Sequence, residues 1–256
     1  MPTLYHAPQS RSSSLLVLIE EMGIDDQIDV IEVHVRRQDG SGSPDPRNPH
    51  PEGKVPYLVA GADHLRERGA IVAYLTDRFP EAGLGRPVGH PQRGAYLSWL
   101  FYYQGVMEPV LVIDWAKVDH PAVRATFRDL ETMFARLSEA LTDQPYLLGA
   151  SYSAADLLLS SPFQWLPEAL PEDPAIRAWV ARCADRAGAG RALPGLCPGD
   201  LAVTVRALPG RCGRRYPGGA AHKKTPRDSH GALPVAGRVL DQPKTLVRAL
   251  SVASMI

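Results

Sequence analysis

The chain has 256 residues, equal numbers of basic and acidic side chains and an ordinary globular composition. This length suits one large domain or two modest ones. No apolar run reaches the roughly 18 residues that a membrane-spanning helix needs, and the N-terminus has no basic segment followed by an apolar one. We therefore expect a soluble, cytoplasmic protein. The cysteines lack the spacing of a disulfide framework or a metal site, so no metal is predicted.

The zero net charge conceals an acidic body and a basic tail. Residues 187–256 carry 11 Lys/Arg against 3 Asp/Glu, which leaves 17 against 25 for residues 1–186. The tail has no helical periodicity, and 17 of its 70 residues are Gly or Pro. This predicts a disordered basic tail, or a translated alternative reading frame. Aromatic residues do not alternate with its basic ones, so we expect no nucleic-acid partner.

The first third of the chain predicts elements in the order β-α-β and then β-β-α. Residues 29–35 alternate polar and aliphatic side chains, as a half-buried strand does, and Gly23 ends an apolar helix. The predicted elements are strands over 3–6, 29–35, 57–60 and 64–66, a helix over 14–22 and a second helix from Glu67. This order is that of a thioredoxin-like α/β domain, with a mixed four-stranded sheet and helices on both faces.

From about Pro91 the pattern changes to long helices, predicted over 91–114, 121–142, 153–169 and 174–186. Ser153 and Asp156 have the spacing of a capping box, with Asp in the place of Glu. Pro109 predicts a kink in the first of these helices. The predicted organisation is a thioredoxin-like domain over 1–80, an all-α domain over 91–186 and the tail.

Val55 and Pro56 lead directly into the predicted strand over 57–60. Strands keep proline at an edge or at their first residue, and a tight X-Pro turn favours a cis peptide bond. Such a turn leaves the backbone groups of Val55 pointing outward, where they can hold a peptide-like ligand as an added strand does.

Five segments together resemble the bacterial cytosolic glutathione S-transferases. They are Tyr5 to Gly23, Asn48-Pro49 with Gly53 to Leu58, Glu67 to Leu75, Tyr152 to Asp156, and Trp179. The resemblance covers about 185 residues and implies an N-terminal domain that binds glutathione as co-substrate, a helical domain that shapes the second substrate's pocket, and a homodimer.

Carried onto this chain, the resemblance makes Pro56 the cis-proline and Val55 the residue that pairs with the cysteinyl backbone of glutathione. It places Glu67 and Arg68 at the γ-glutamyl end, and Lys54 within reach of the glycyl carboxylate. Many family members have serine where this chain has Arg68. The arginine could pair with the carboxylate, or turn outward and leave the helix N-terminus to bind it.

The chemistry needs glutathione as a thiolate, whereas a free thiol of pKa ~8.5 is mostly protonated at neutral pH. Lowering that pKa by about two units takes ~2.7 kcal/mol. A hydroxyl hydrogen bond worth about 1.5–3 kcal/mol and a helix N-terminus worth ~0.3–1 kcal/mol together suffice.

Ser10, Ser12 and Ser13 compete for the thiolate role. By position Ser10 resembles the serine of the serine-type classes, and Ser12 is the next candidate. Tyr5, a donor in some classes, is expected to pack within its strand, and His6 is expected on the surface. No cysteine lies in this turn, so a cysteine-type reductase is not expected.

Tyr103 and Met107 are predicted to contact an apolar electrophile. The predicted function is conjugation of glutathione to apolar electrophiles, a detoxification reaction. Two alternatives remain open: glutathione-dependent isomerisation or dehalogenation at the same site, and a non-catalytic protein of this fold that acts through protein contacts, resembling stringent starvation protein A.

We expect deletion of residues 190–256 to leave folding and glutathione binding intact, because the predicted domains end before the tail begins. Soluble expression and retention on immobilised glutathione measure this. Loss of soluble expression would contradict the prediction.

Overall fold

The structure, a computed structural model, describes residues 1–37 and 39–186. Four strands form one sheet in the order β2-β1-β3-β4. They are β1 Thr3–His6, β2 Asp29–Glu32, β3 Tyr57–Ala60 and β4 Asp63–Leu65. β1 runs parallel to β2 and antiparallel to β3, and β3 runs antiparallel to β4. The tail prediction lies outside the described residues.

Two helices accompany the sheet, α1 Ser13–Met22 and α2 Arg68–Arg78. α1 ends as predicted at Gly23, whose φ of 64° is left-handed and whose N–H donates to the carbonyls of the last turn. Six of the ten residues of α1 are apolar, and eight of the ten are buried, so the helix lies largely inside the protein.

The other long elements of the described residues are helices joined by loops. The helices are α3 Arg93–Tyr102, a π-helical turn Tyr103–Met107, α4 Glu108–Trp115, α5 Pro121–Thr126, α6 Leu130–Leu141, α7 Ala154–Trp165 and α8 Pro174–Ala184. A thioredoxin-like N-terminal part followed by an all-helical part confirms the predicted fold class. The domain boundaries at 80 and 91 stay a prediction. Among the described residues, no helix combines the length and apolarity needed to cross a membrane.

Three of the predicted helices are interrupted, and the one predicted over 153–169 ends at Trp165 before a short 3-10 helix, Pro167–Ala169. The helix predicted over 91–114 contains the π-helical turn directly before Glu108, so the irregularity precedes Pro109. The helix predicted over 121–142 is broken, because Phe127 is extended and Asp129 begins a new helix by accepting a hydrogen bond from the Thr132 N–H at 2.8 Å. A polar N-cap thus starts α6 where periodicity alone indicated continuity.

One hydrophobic core joins the sheet to the helices. It includes Leu4 of β1, Leu15 of α1 and Trp179 of α8, each essentially inaccessible to solvent. α1 packs against both α2 and α7, and the Ala154 N–H at the start of α7 donates to the Leu84 carbonyl at 2.8 Å. The helical part therefore packs directly against α1 of the N-terminal part.

Asp156 anchors the start of α7. The predicted capping box is confirmed, with the Ser153 N–H donating to Asp156 Oδ2 at 2.9 Å. The Ser153 hydroxyl donates to the same oxygen at 2.8 Å, while Oδ1 accepts from the Leu147 N–H at 2.8 Å and from Trp179 Nε1 at 3.0 Å. One buried carboxylate thus joins α7, α8 and the loop before them.

We expect Asp156→Asn to lower the free energy of unfolding by about 2–4 kcal/mol, because an amide nitrogen would face a donor in a buried site. Urea unfolding measures the change. As a control, Glu139→Gln removes an exposed carboxylate that pairs with Arg136 and should change stability by under ~0.5 kcal/mol. Equal effects of the two substitutions would contradict this role for Asp156.

Candidate active site

The strand order brings three segments to one end of the sheet. Tyr5 of β1 pairs with Tyr57 of the antiparallel β3, so the turn after β1 lies beside the chain that enters β3. Leu58 of β3 pairs with Leu65 of β4, so the exit of β4 toward α2 lies at the same end. The predicted thiolate-stabilising turn, the Val55–Pro56 segment and the start of α2 are therefore neighbours.

The turn between β1 and α1 contains a hydrogen-bonded chain of side chains. The Ser10 and Ser12 Oγ atoms are 2.6 Å apart, and Ser12 Oγ lies 2.7 Å from His6 Nδ1. The Ser10 hydroxyl donates to the Ala7 carbonyl at 2.7 Å. Two of the serines predicted for the thiolate role are thus in direct contact.

The two serines differ in exposure. Ser12 is completely buried, whereas Ser10 is partly exposed, so Ser10 is the one that an incoming ligand can reach. Ser13 is also buried, with 5% of its surface exposed. Ser10 and Ser12 are brought together by this turn, with Ser12 behind Ser10.

His6 is a functional candidate that the sequence interpretation missed. It was expected on the surface, but it is 5% exposed, and burial lowers its pKa to about 4. The signal was present in the alternation of β1, where Leu4 and His6 share the buried face. A neutral imidazole therefore stands behind the two hydroxyls.

The segment that enters β3 presents backbone groups to the same end of the sheet. The Val55–Pro56 peptide bond is cis, Pro56 is buried and Val55 is half-buried. Within residues 1–37 and 39–186, no backbone hydrogen bond uses the N–H or C=O of Val55. Lys54 is exposed, and its carbonyl accepts from Asn48 Nδ2 at 3.1 Å.

Glu67 has an unusual backbone at the start of α2. Its φ of 66° and ψ of 125° lie in a region that residues other than glycine rarely occupy. Its side chain is exposed, with Oε2 accepting from Gln104 Nε2 at 3.3 Å. The exposed carboxylate of Glu67 therefore lies next to the first N–H groups of α2, a combination that suits a ligand with both an ammonium and a carboxylate.

Arg68 does not turn outward, which was one of the two orientations expected from the sequence. Its side chain is 4% exposed, with Nη2 donating to the Tyr103 hydroxyl and to Glu108 Oε1 at 2.8 Å. Burial alone would lower the pKa of Arg68, but Tyr103 and Glu108 raise it above its ordinary value. Arg11 Nε donates to the same Glu108 oxygen at 2.5 Å. Glu108, at the start of α4, thus connects that helix to the turn between β1 and α1 and to α2.

The two residues predicted for the second pocket lie in the π-helical turn. Tyr103 is 1% exposed and Met107 is fully buried. Burial raises the pKa of Tyr103 to about 12, and the Arg68 guanidinium lies 4.7 Å from the centre of its ring. Both side chains are buried, and Tyr103 contacts Arg68, so either could reach a ligand only from the base of a pocket.

Arg37 contacts the backbone of the turn between β1 and α1. Its guanidinium donates to the carbonyls of Pro8 at 2.8 Å and Gln9 at 3.2 Å. Gln9 has a left-handed φ of 52°, which costs energy for a residue with a side chain. The sequence interpretation missed this contact, because it joins residues 28 and 29 positions apart across a loop.

Comparisons with known proteins agree with this geometry. A family model described as the glutathione S-transferase C-terminal domain matches residues 98–187. Glutathione S-transferase GstA of Escherichia coli O157:H7 is 27% identical over 167 residues, covering 63% of this chain and 81% of GstA. A glutathione transferase structure from Methylococcus capsulatus has a TM-score of 0.60 at 25% identity, covering 75% of this chain and 97% of that one. Residues 98–187 thus match the C-terminal domain of the glutathione S-transferases, and the chain is similar to glutathione S-transferases in sequence and fold.

A second solved structure is that of a sphingomonad glutathione S-transferase complexed with glutathione. It has a TM-score of 0.59 at 25% identity and covers 74% of this chain and 96% of that one. The resemblance to bacterial glutathione S-transferases that the sequence motifs predicted is thus confirmed. The serine-type subclass and the individual site residues stay predictions.

We expect Glu108→Gln to lower the free energy of unfolding by about 3 kcal/mol, because it leaves the buried Arg68 without its anionic partner. Urea unfolding measures the loss. The matched control is Asp114→Asn on the same helix, which removes an exposed pair with Lys117 and should cost under ~0.5 kcal/mol. A loss below 1 kcal/mol for Glu108→Gln would contradict the linking role of this carboxylate.

Proposed function

We propose that this protein is a glutathione transferase that binds glutathione at one end of its sheet, stabilises the thiolate with the hydroxyl of Ser10, and transfers it to a small apolar electrophile. The main support for the proposal is that three groups lie together at that end of the sheet. They are the partly exposed hydroxyl of Ser10, the backbone of Val55 and the N-terminus of α2. Each of these matches one part of the tripeptide.

Glutathione binding is supported by the chemistry of the three segments. The N–H and C=O of Val55 suit the peptide backbone of the cysteinyl residue, as in strand addition. The exposed carboxylate of Glu67 suits the γ-glutamyl ammonium, and the N-terminal amides of α2 suit its carboxylate. The buried guanidinium of Arg68 would support this site from beneath rather than by direct contact. Lys54 is exposed and suits the glycyl carboxylate.

Ser10 is favoured over Ser12 for the thiolate because it is the partly exposed member of the pair. A hydrogen bond from a neutral hydroxyl to a charged sulfur is worth about 1.5–3 kcal/mol, which corresponds to a thiol pKa lowered by about one to two units. Ser12 would act from behind, through its 2.6 Å contact with Ser10.

Tyr103 and Met107 remain the candidates for the base of the second pocket. They directly precede Glu108, whose carboxylate contacts Arg11 of the thiolate-stabilising turn, so this part of the helical domain lies close to the proposed sulfur position. π-helical turns occur frequently at functional sites. We also propose the homodimeric state and cytoplasmic location that are general among soluble members of the family.

We expect Ser10→Ala to raise the thiol pKa of bound glutathione by about one to two units and to lower kcat/KM for an aromatic electrophile about tenfold to a hundredfold near neutral pH. The reason is the loss of the hydrogen bond to the charged sulfur. Ultraviolet titration of the thiolate and conjugation kinetics measure the two quantities.

Ser14→Ala is the matched control, because the Ser14 hydroxyl donates to the Arg11 carbonyl within the same helix start and should leave kinetics unchanged. If Ser12→Ala raises the thiol pKa and Ser10→Ala does not, the assignment passes to Ser12. Failure of the unmodified protein to be retained on immobilised glutathione would instead favour a non-catalytic role through protein contacts.

A further inference from the structure

Three short contacts run in series through the turn after β1. His6 Nδ1 and Ser12 Oγ are 2.7 Å apart, Ser12 Oγ and Ser10 Oγ are 2.6 Å apart, and Ser10 Oγ lies 2.7 Å from the Ala7 carbonyl oxygen. All three distances are those of good hydrogen bonds, and each bond requires one proton. The series therefore needs three protons.

The two hydroxyls supply two of these protons, one from Ser10 and one from Ser12. The Ala7 carbonyl oxygen can only accept. If His6 Nδ1 carried no proton, one of the three short contacts would join two acceptors, which is repulsive. The third proton must therefore be on Nδ1, and the bonds run from His6 to Ser12, from Ser12 to Ser10 and from Ser10 to Ala7. The Ala7 carbonyl also lies 3.3 Å from Ser12 Oγ, but the 2.6 Å contact with Ser10 is the shorter one and takes the Ser12 proton.

Backbone donors support the same direction. The Ala7 N–H donates to Ser12 Oγ at 3.2 Å, and the Ser12 N–H donates to Ser10 Oγ at 3.2 Å. Each hydroxyl oxygen then accepts two hydrogen bonds and donates one, which is its full capacity. His6 is neutral at working pH, because burial lowers its pKa to about 4, so its ring carries a single proton.

We infer that His6 is a positioning residue for the transferase reaction: its Nδ1–H directs the Ser12 proton to Ser10, so that the Ser10 proton is the one available to the glutathione sulfur. The inference rests on the proposed role of Ser10. When the thiolate binds, the Ser10 proton turns from the Ala7 carbonyl to the sulfur, while its oxygen keeps both incoming donors. Hydrogen bonds in such a chain polarise and strengthen one another.

The first test uses the unmodified protein. Nitrogen NMR of histidine-labelled protein distinguishes a protonated Nδ1 from a protonated Nε2. We expect the His6 resonances of the Nδ1–H tautomer in the absence and presence of glutathione. A protein with the proton on Nε2 would overturn the inference, whatever the behaviour of any variant.

The second test compares His6→Leu with His6→Asn. Leucine fills the buried space without a donor, whereas the asparagine amide can place an N–H near the position of Nδ1–H. We expect His6→Leu to raise the thiol pKa of bound glutathione by about half to one unit and to lower kcat/KM about threefold to tenfold below that pKa. His6→Asn should recover most of this loss. Affinity for S-methylglutathione, which has no thiol to ionise, should be unchanged in both variants.

A Ser10→Ala background separates this inference from the proposed function. In that background His6→Leu should cause no further rise in the thiol pKa. If Ser10→Ala alone leaves the thiol pKa unchanged, the proposed role of Ser10 fails. If Ser10→Ala raises it but His6→Leu does not, the thiolate role of Ser10 stands and the positioning role of His6 is overturned.

Discussion

The carboxylate of Glu108 is the contact on which the geometry of the site depends. One of its oxygens accepts from Arg11 in the turn after β1 and from Arg68 at the start of α2. Breaking a buried ion pair is costly because it leaves an uncompensated charge away from water. The three segments must therefore keep their relative positions while the protein is folded, and the proposed glutathione site is formed between two of them.

In the proposed function, the hydroxyls of the turn after β1 would stabilise a thiolate without a charged partner in contact with it. Ser10 is neutral, as are Ser12 and His6 behind it. A hydroxyl that already accepts two hydrogen bonds donates more strongly to an anion, and it carries no charge that must be desolvated when an apolar second substrate arrives. The buried positive charge of Arg68 is paired with Glu108 and is not part of this hydroxyl chain.

Features with a local cause were predictable from the sequence. Gly23 ends α1, Pro56 precedes β3, and Ser153 with Asp156 caps α7, each through residues a few positions apart. The partner of Arg68 was not predictable, because Glu108 lies 40 positions away and meets it through tertiary packing. His6 was missed for a different reason: its polarity outweighed the period-two pattern that placed it on the buried face with Leu4.

The π-helical turn Tyr103–Met107 holds one residue more than an α-helical turn would. Such a turn accommodates the extra residue by widening, which lets α3 and α4 continue as one interrupted helix. The widened backbone lies directly before Glu108, the carboxylate that both guanidiniums contact, so the irregularity sits where the helical part is tied to the N-terminal part.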